Sequence, residues 1–152
     1  MTHAPAFSAA PLTGGAPLWL PELLRDGPVV LIFFKISCPT CQLAFPFLER
    51  LHSAGTGLRL VGVSQDEAKL TGQFAERFGV TFPLLLDLAK EGYRASNAYG
   101  LTNVPAIFVV EPDGAISHSW MGFSRADFEK LALRARAVIF GPDDNVPAWK
   151  AG

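Results

Sequence analysis

Two cysteines, Cys38 and Cys41, are the only ones in this chain, and they sit together in the stretch Phe33-Phe34-Lys35-Ile36-Ser37-Cys38-Pro39-Thr40-Cys41. Cysteines at that spacing admit four chemistries: a dithiol–disulfide couple, half of a metal site, a peroxide-reactive thiol with a helper, or two small buried hydrophobes. On a helix the pair lies one turn apart, so both sulfurs face one side within bonding reach. Zinc wants about four ligands, and only His3, His52 and His118 accompany the pair. His52 falls on the same predicted helix but about 16 Å beyond Cys41, at ~1.5 Å rise per residue. No second Cys-x-x-Cys exists, so no metal site is expected.

The residues before the pair explain how it would be held. Residues 28–36 are a continuous apolar run rich in β-branched and aromatic side chains, which predicts a strand buried on both faces. Cys38 then stands where strand gives way to helix, and the unpaired N–H groups and dipole of a helix N-terminus favour a thiolate there. Pro39 suits the first helical turn, because its missing N–H has no helical partner to lose. This geometry supports attack by Cys38 on a disulfide and release of the mixed disulfide by Cys41.

The remaining pattern alternates. A short helix is predicted over 17–27 and a helix over 39–55, bent or interrupted at Pro46. A second buried strand covers 58–64, and a helix follows over 66–79, with Asp66 (or Ser64) as N-cap and Gly79 as C-cap. A short strand at 83–87 and a helix over 89–100 come next. Residues 106–122 read as a hairpin turning through Pro112, Asp113 and Gly114. Ser124 caps a last helix over 125–140. The order β-α-β-α-β-α-β-β-α predicts an α/β fold, a mixed central sheet with helices on both faces. Residues 1–16 are read as an N-terminal arm, 17–140 as the domain and 141–152 as an irregular tail.

Bulk properties narrow the function. At 152 residues the chain is long enough for one domain with its own core. A formal net charge of −1 gives no electrostatic case for nucleic acid or an anionic membrane as partner. No stretch reaches the ~18 apolar residues of a membrane span. The N-terminal residues lack a basic segment followed by an apolar core, so a cytoplasmic location is expected, or a periplasmic one if a leader has been removed.

The chain resembles a known group. The stretch from Phe33 to Cys41, followed by Asn103-Val104-Pro105-Ala106-Ile107-Phe108 and the Pro112-Asp113-Gly114 turn, is similar to the thioredoxin-like fold, in the branch of TlpA, ResA and the AhpC/TSA redoxins. The resemblance covers about residues 17 to 140. It implies a thiol-disulfide oxidoreductase with Cys38 and Cys41 catalytic, and substrate contacts at Pro39, Thr40, Val104 and Pro105. Pro105 takes the place of the family's cis-proline, whose flanking backbone can pair with a bound substrate as an added strand. The implied partners are a protein or small-molecule disulfide and an electron-donating thiol protein or small thiol. No bound cofactor is implied.

Departures from the family are as informative. Ser37 stands where thioredoxins have tryptophan, Ile32 where they bury an aspartate, and Ala44 where the ResA-like branch has a glutamate. The usual proton acceptors for the second thiol are therefore missing. Lys35 is a candidate for favouring the Cys38 thiolate, provided its side chain turns toward the site. Gln65 and Asp66 end the second strand on the site's edge of the sheet, with Asp66 read as the helix cap. Two rivals remain: a peroxidase with Cys41 peroxidatic and Arg94 or Arg125 as anion-holding arginine, and a non-catalytic thioredoxin-fold binding module. Residues 119–123, with Trp120, Met121 and Phe123, are an aromatic and thioether cluster suited to core packing or to docking.

Overall fold

Every residue of Val29–Phe34 is buried, the state of a central strand with layers on both faces. In the computed structural model, which describes residues 2–152, this run is the third strand in chain order, β3. The other strands are β1 (Ser8–Pro11), β2 (Leu18–Trp19), β4 (Arg59–Ser64), β5 (Leu84–Leu86), β6 (Ala106–Val110), β7 (Ile116–Met121), β8 (Phe123–Ser124) and β9 (Trp149–Lys150). The helices are α1 (Leu20–Leu23), α2 (Pro39–Ala54), α3 (Ala68–Phe78), α4 (Arg94–Ala98) and α5 (Arg125–Arg134).

Across the main sheet the order is β2-β1-β5-β4-β3-β6-β7. The pairs β3–β4 and β4–β5 are parallel, and β3–β6, β6–β7 and β1–β5 are antiparallel, so the sheet is mixed. Side-chain alternation along β3 divides the core in two. Val30, Ile32 and Phe34 join Cys41, Phe45 and Leu48 of α2, Phe74 of α3 and Phe128 of α5 on one face. Val29, Leu31 and Phe33 join Leu20 and Leu23 of α1, Ala95 of α4 and Tyr99 on the other. Burying each such Val, Leu or Phe contributes roughly 1.5–3 kcal/mol, so one strand anchors both halves of the molecule.

Local expectations meet the structure unevenly. Gly79 caps α3 and Ser124 caps α5, its hydroxyl accepting the Asp127 N–H at 3.2 Å. Helix α2 runs through Pro46 without ending, because the side chains around it (Phe45, Phe47 and Leu48) are buried and hold the turn in place. Helix α3 starts after Glu67, not after Asp66 or Ser64. The helix expected over 89–100 is split: a short 3₁₀ turn at Ala89–Glu91, then Gly92 and Tyr93 both with positive φ, then α4. The last helix stops at Arg134 and not at 140; Arg136 has φ 56°, and the chain doubles back to set Phe140 against Phe47, ring centroids 4.7 Å apart.

Both ends of the chain are built into strands. Within the N-terminal sixteen residues, Ala10 and Pro11 pair with Leu86 and Leu85, which places β1 between β5 and β2. At the other end β9 pairs antiparallel with β8, Phe123 opposite Lys150 and Ser124 opposite Trp149.

Candidate active site

β3 delivers the chain to the C-terminal edge of the sheet, and Lys35–Ser37 turn it into α2. Lys35 O accepts the Cys38 N–H at 3.3 Å, closing the turn. Cys38 is the N-cap of α2, and its Sγ accepts the Cys41 N–H at 3.2 Å. The sulfur thus satisfies one of the free donors at the helix start, the role an oxygen plays at most N-caps. On its other side Cys38 Sγ donates to Val104 O at 3.4 Å. The Val104–Pro105 peptide is cis, and Pro105 leads directly into β6.

The two thiols are free and unequal. Cys38 is partly exposed, whereas Cys41 is fully buried in the core face of α2. Burial, and next the neighbouring Cys38, push the Cys41 thiol well above the ordinary range, with the Lys35 backbone acting in the opposite sense. The arrangement therefore offers an outer sulfur that an incoming molecule can meet and an inner one that only Cys38 can pass it to.

Around the motif, Ile36 is gripped from both sides. Its N–H donates to Asp66 Oδ2 at 2.8 Å, and its carbonyl accepts from Gln42 Nε2 at 2.9 Å. Asp66 is thus a tertiary acceptor for the active-site turn and not the cap of α3. Sequence pattern alone marks neither Asp66 nor Gln42 for this part; the one signal is Asp66's place just past a strand end on the site's edge of the sheet. Gln65 points elsewhere, donating to Ser96 Oγ at 2.8 Å.

The C-terminal residues also reach the site, a placement that composition did not foreshadow. Thr40, only 2 % exposed, donates from Oγ1 to Ala151 O at 2.6 Å. Gly152 lies so close to the cis-proline turn that a Cβ built on it would overlap the Val104 carbonyl oxygen and stand 2.7 Å from its carbon. Cys38, Thr40, Val104 and Pro105 are therefore brought together, with residues 151–152 against them. Pro39 is exposed in the first turn of α2.

Other candidates lie apart or act differently. The Lys35 side chain is exposed, and what this residue brings to the motif is its backbone. Ile32 and Ala44 are both fully buried, so no carboxylate stands at either position. Arg125 is committed to Glu129 at 3.0 Å and stacks over Phe140, and Arg94 is exposed. His52 packs on Phe82 and His118 meets Asp127 at 2.6 Å. In the 119–123 cluster Trp120 packs on Phe128 and Phe123 is buried, while Met121 stays open to solvent. Among the described residues, no helix is long and apolar enough to cross a membrane.

Residues 1–119 match the AhpC/TSA family. The chain belongs to that family. Among the relatives of this AhpC/TSA protein, the thiol-disulfide oxidoreductase ResA of Halalkalibacterium halodurans is 31% identical over 105 residues, 67% of this chain and 57% of that protein. The chain thus spans little more than half of that relative's length. A Mycobacterium tuberculosis protein that carries a peroxiredoxin name is 32% identical over 124 residues, 74% of this chain and 78% of its own. The thioredoxin domain of a thiol-disulfide oxidoreductase from Bacteroides vulgatus superposes with a TM-score of 0.74 at 20% identity, covering 88% of this chain and 96% of the other. That likeness shows the thioredoxin-like fold for this AhpC/TSA chain.

Proposed function

We propose that the chain is a thiol-disulfide oxidoreductase working through Cys38 and Cys41. The observation that carries this reading is the placement of Cys38 Sγ between the N-terminus of α2 and the carbonyl before the cis-proline, 3.2 Å from Cys41 N and 3.4 Å from Val104 O. The Cys41 N–H at the start of α2 is directed at the sulfur that attacks, and the Val104 backbone lines the place where a substrate sulfur arrives. The names of the ResA relatives point the same way.

In the first step the Cys38 thiolate attacks one sulfur of a substrate disulfide, forming a mixed disulfide and releasing the first thiolate. In the second, Cys41 attacks Cys38 Sγ, closing the 38–41 disulfide and releasing the second substrate thiol. Two electrons pass from the protein dithiol to the substrate. Positions 32 and 44 hold no carboxylate, so the departing substrate sulfur is the base that the reaction itself brings up to accept the Cys41 proton. A small thiol or a thiol protein returns the pair to the dithiol.

A peroxidase reading asks Cys41 to meet peroxide, but Cys41 is the buried thiol and the one pushed up in pKa. The test is a single turnover: pre-reduced protein mixed with hydroxyethyl disulfide, quenched and mapped by mass. A 38–41 disulfide should form in the native chain, none in Cys38→Ser, and a stable mixed disulfide on Cys38 in Cys41→Ser. Full consumption of the disulfide by Cys38→Ser would sink the assignment, and peroxide loss dependent on Cys41 but not on Cys38 would replace it with the peroxidase.

A further inference from the structure

Residues 148–152 cross the reactive edge of the molecule, first through β9 and then as irregular chain. Ala148 O accepts the Arg125 N–H at 2.9 Å, and β9 pairs with β8. Ala151 O takes the Thr40 hydroxyl at 2.6 Å, inside the Cys-x-x-Cys itself. Gly152 lies against the Val104 carbonyl, the same group that accepts from Cys38 Sγ. The approach at Gly122 is also close, where a Cβ would stand 2.5 Å from Lys150 O. A bare glycine is what allows the backbone to lie flat against the cis-proline turn, since any side chain at 152 meets carbonyl oxygen.

An extended polypeptide carrying a disulfide needs backbone contact beside its reacting sulfur, and the exposed backbone next to the cis-proline is where such a strand would add. In this chain that place is already taken by its own residues. Cys38 nevertheless remains partly exposed, so a molecule that brings little more than its sulfurs can still reach it.

We propose that the segment from Trp149 to Gly152 sets the substrate class of the site, admitting small, low-molecular-weight disulfides and excluding disulfides embedded in extended polypeptide. The proposal rests on the exchange reading above and narrows it. The chemistry is the same: a small disulfide takes two electrons from the Cys38–Cys41 dithiol and leaves as two thiols. For a polypeptide substrate, Ala151 and Gly152 must first leave Thr40 and Val104, and that displacement is subtracted from whatever the substrate strand gains.

The experiment compares two substrates on two chains, each pre-reduced and followed for one turnover by mass. The substrates are hydroxyethyl disulfide and the disulfide-linked dimer of an extended decapeptide with one central cysteine. The chains are the full protein and one ending at Ala148, which keeps the Arg125 contact and removes only the covering segment. Removal should raise the rate with the decapeptide dimer by about tenfold, the effect of losing roughly one or two competing hydrogen bonds, and change the hydroxyethyl disulfide rate less than about twofold. Gly152→Val, whose side chain cannot fit against Val104, should shift the ratio in the same direction with the rest of the chain intact. A ratio of rates that is the same in all three proteins overturns the proposal while leaving the exchange reading standing. Failure of all three to form a 38–41 disulfide with either substrate overturns both.

Discussion

Asp66 and Ile36, thirty positions apart, are joined by one hydrogen bond: the carboxylate at the end of β4 accepts the N–H of the residue two before Cys38, at 2.8 Å. Through it, the end of β4 fixes the height at which β3 hands the chain to α2. The turn cannot rotate without breaking either this bond or that of Gln42 to the Ile36 carbonyl.

Asp66→Ala should therefore cost about 1–3 kcal/mol of stability, because a part-buried N–H loses a charged acceptor. Asp66→Asn retains an acceptor oxygen and should lose less. Urea unfolding at neutral pH measures both, and the Cys38 alkylation rate should change in Asp66→Ala as its turn loosens. Equal stability of the native and alanine proteins would show that the bond carries nothing.

Gly62 lies in β4 with its Cα facing Leu84 and Phe34. A Cβ there would overlap Leu84 Cδ2 and stand 3.2 Å from Phe34 Cε1, both in the packed core. Gly62→Ala should destabilise by roughly 1–3 kcal/mol through overpacking, in spite of alanine's lower conformational entropy cost. Thermal unfolding reads this directly, and a rise in melting temperature would contradict it.

Alkaline pH should weaken the dithiol form. Folding holds Cys41 as the neutral thiol, its pKa raised by burial from an ordinary value of 9.0. Above that value the unfolded chain gives up the proton while the fold retains it, so stability is complete below about pH 9 and falls as pH rises further. Buried Tyr99, also pushed up by burial from 10.0, adds to the same slope at higher pH. Denaturant midpoints taken at about pH 8 and about pH 10 should fall less in Cys41→Ala than in the native dithiol protein.

At the acid end the sign reverses. Arg134 holds Glu111 through two bonds, 2.6 and 2.8 Å long, and keeps its carboxyl below the ordinary 4.5. Glu111 thus contributes stability above about pH 4.5 that is lost as pH falls through its folded value. The pair is partly exposed, so its share is about 1 kcal/mol or less. Glu111→Gln should lower stability at neutral pH and bring the two proteins together at low pH; an offset unchanged by pH would point to packing instead of charge.

Much of this molecule is legible in its residues, and the gaps have physical reasons. The run Val29–Phe34 announces a buried central strand because it is short, apolar on both faces and rich in β-branched and aromatic residues. Ser124 and Gly79 announce helix ends because capping is local chemistry, decided within four residues. Asp66 is the instructive failure: an aspartate just before a helical pattern looks the same whether its carboxylate caps that helix or crosses to another strand. The ends fail for a related reason. Residues 8–11 and 149–150 carry no period of their own, and they become strands only because β5 and β8 offer open edges. Tyr93, in the left-handed region beside Gly92, ends one turn and begins another where composition suggests a single helix.

Cys41 is a member of the hydrophobic core as well as the proposed second thiol of the exchange reaction, packed with Ala44, Phe45 and Ile32. Folding and oxidation then form a closed cycle: the preference of the folded chain for its disulfide, relative to the unfolded chain, equals the stability that the disulfide adds to the fold. A change in the interior that favours one form over the other moves the reduction potential by the difference between its effects on the dithiol and the disulfide folds. The electron affinity of this site is thus written partly in side chains that never touch a substrate, and the packing density around Phe45 acts on it as surely as the charges at the surface.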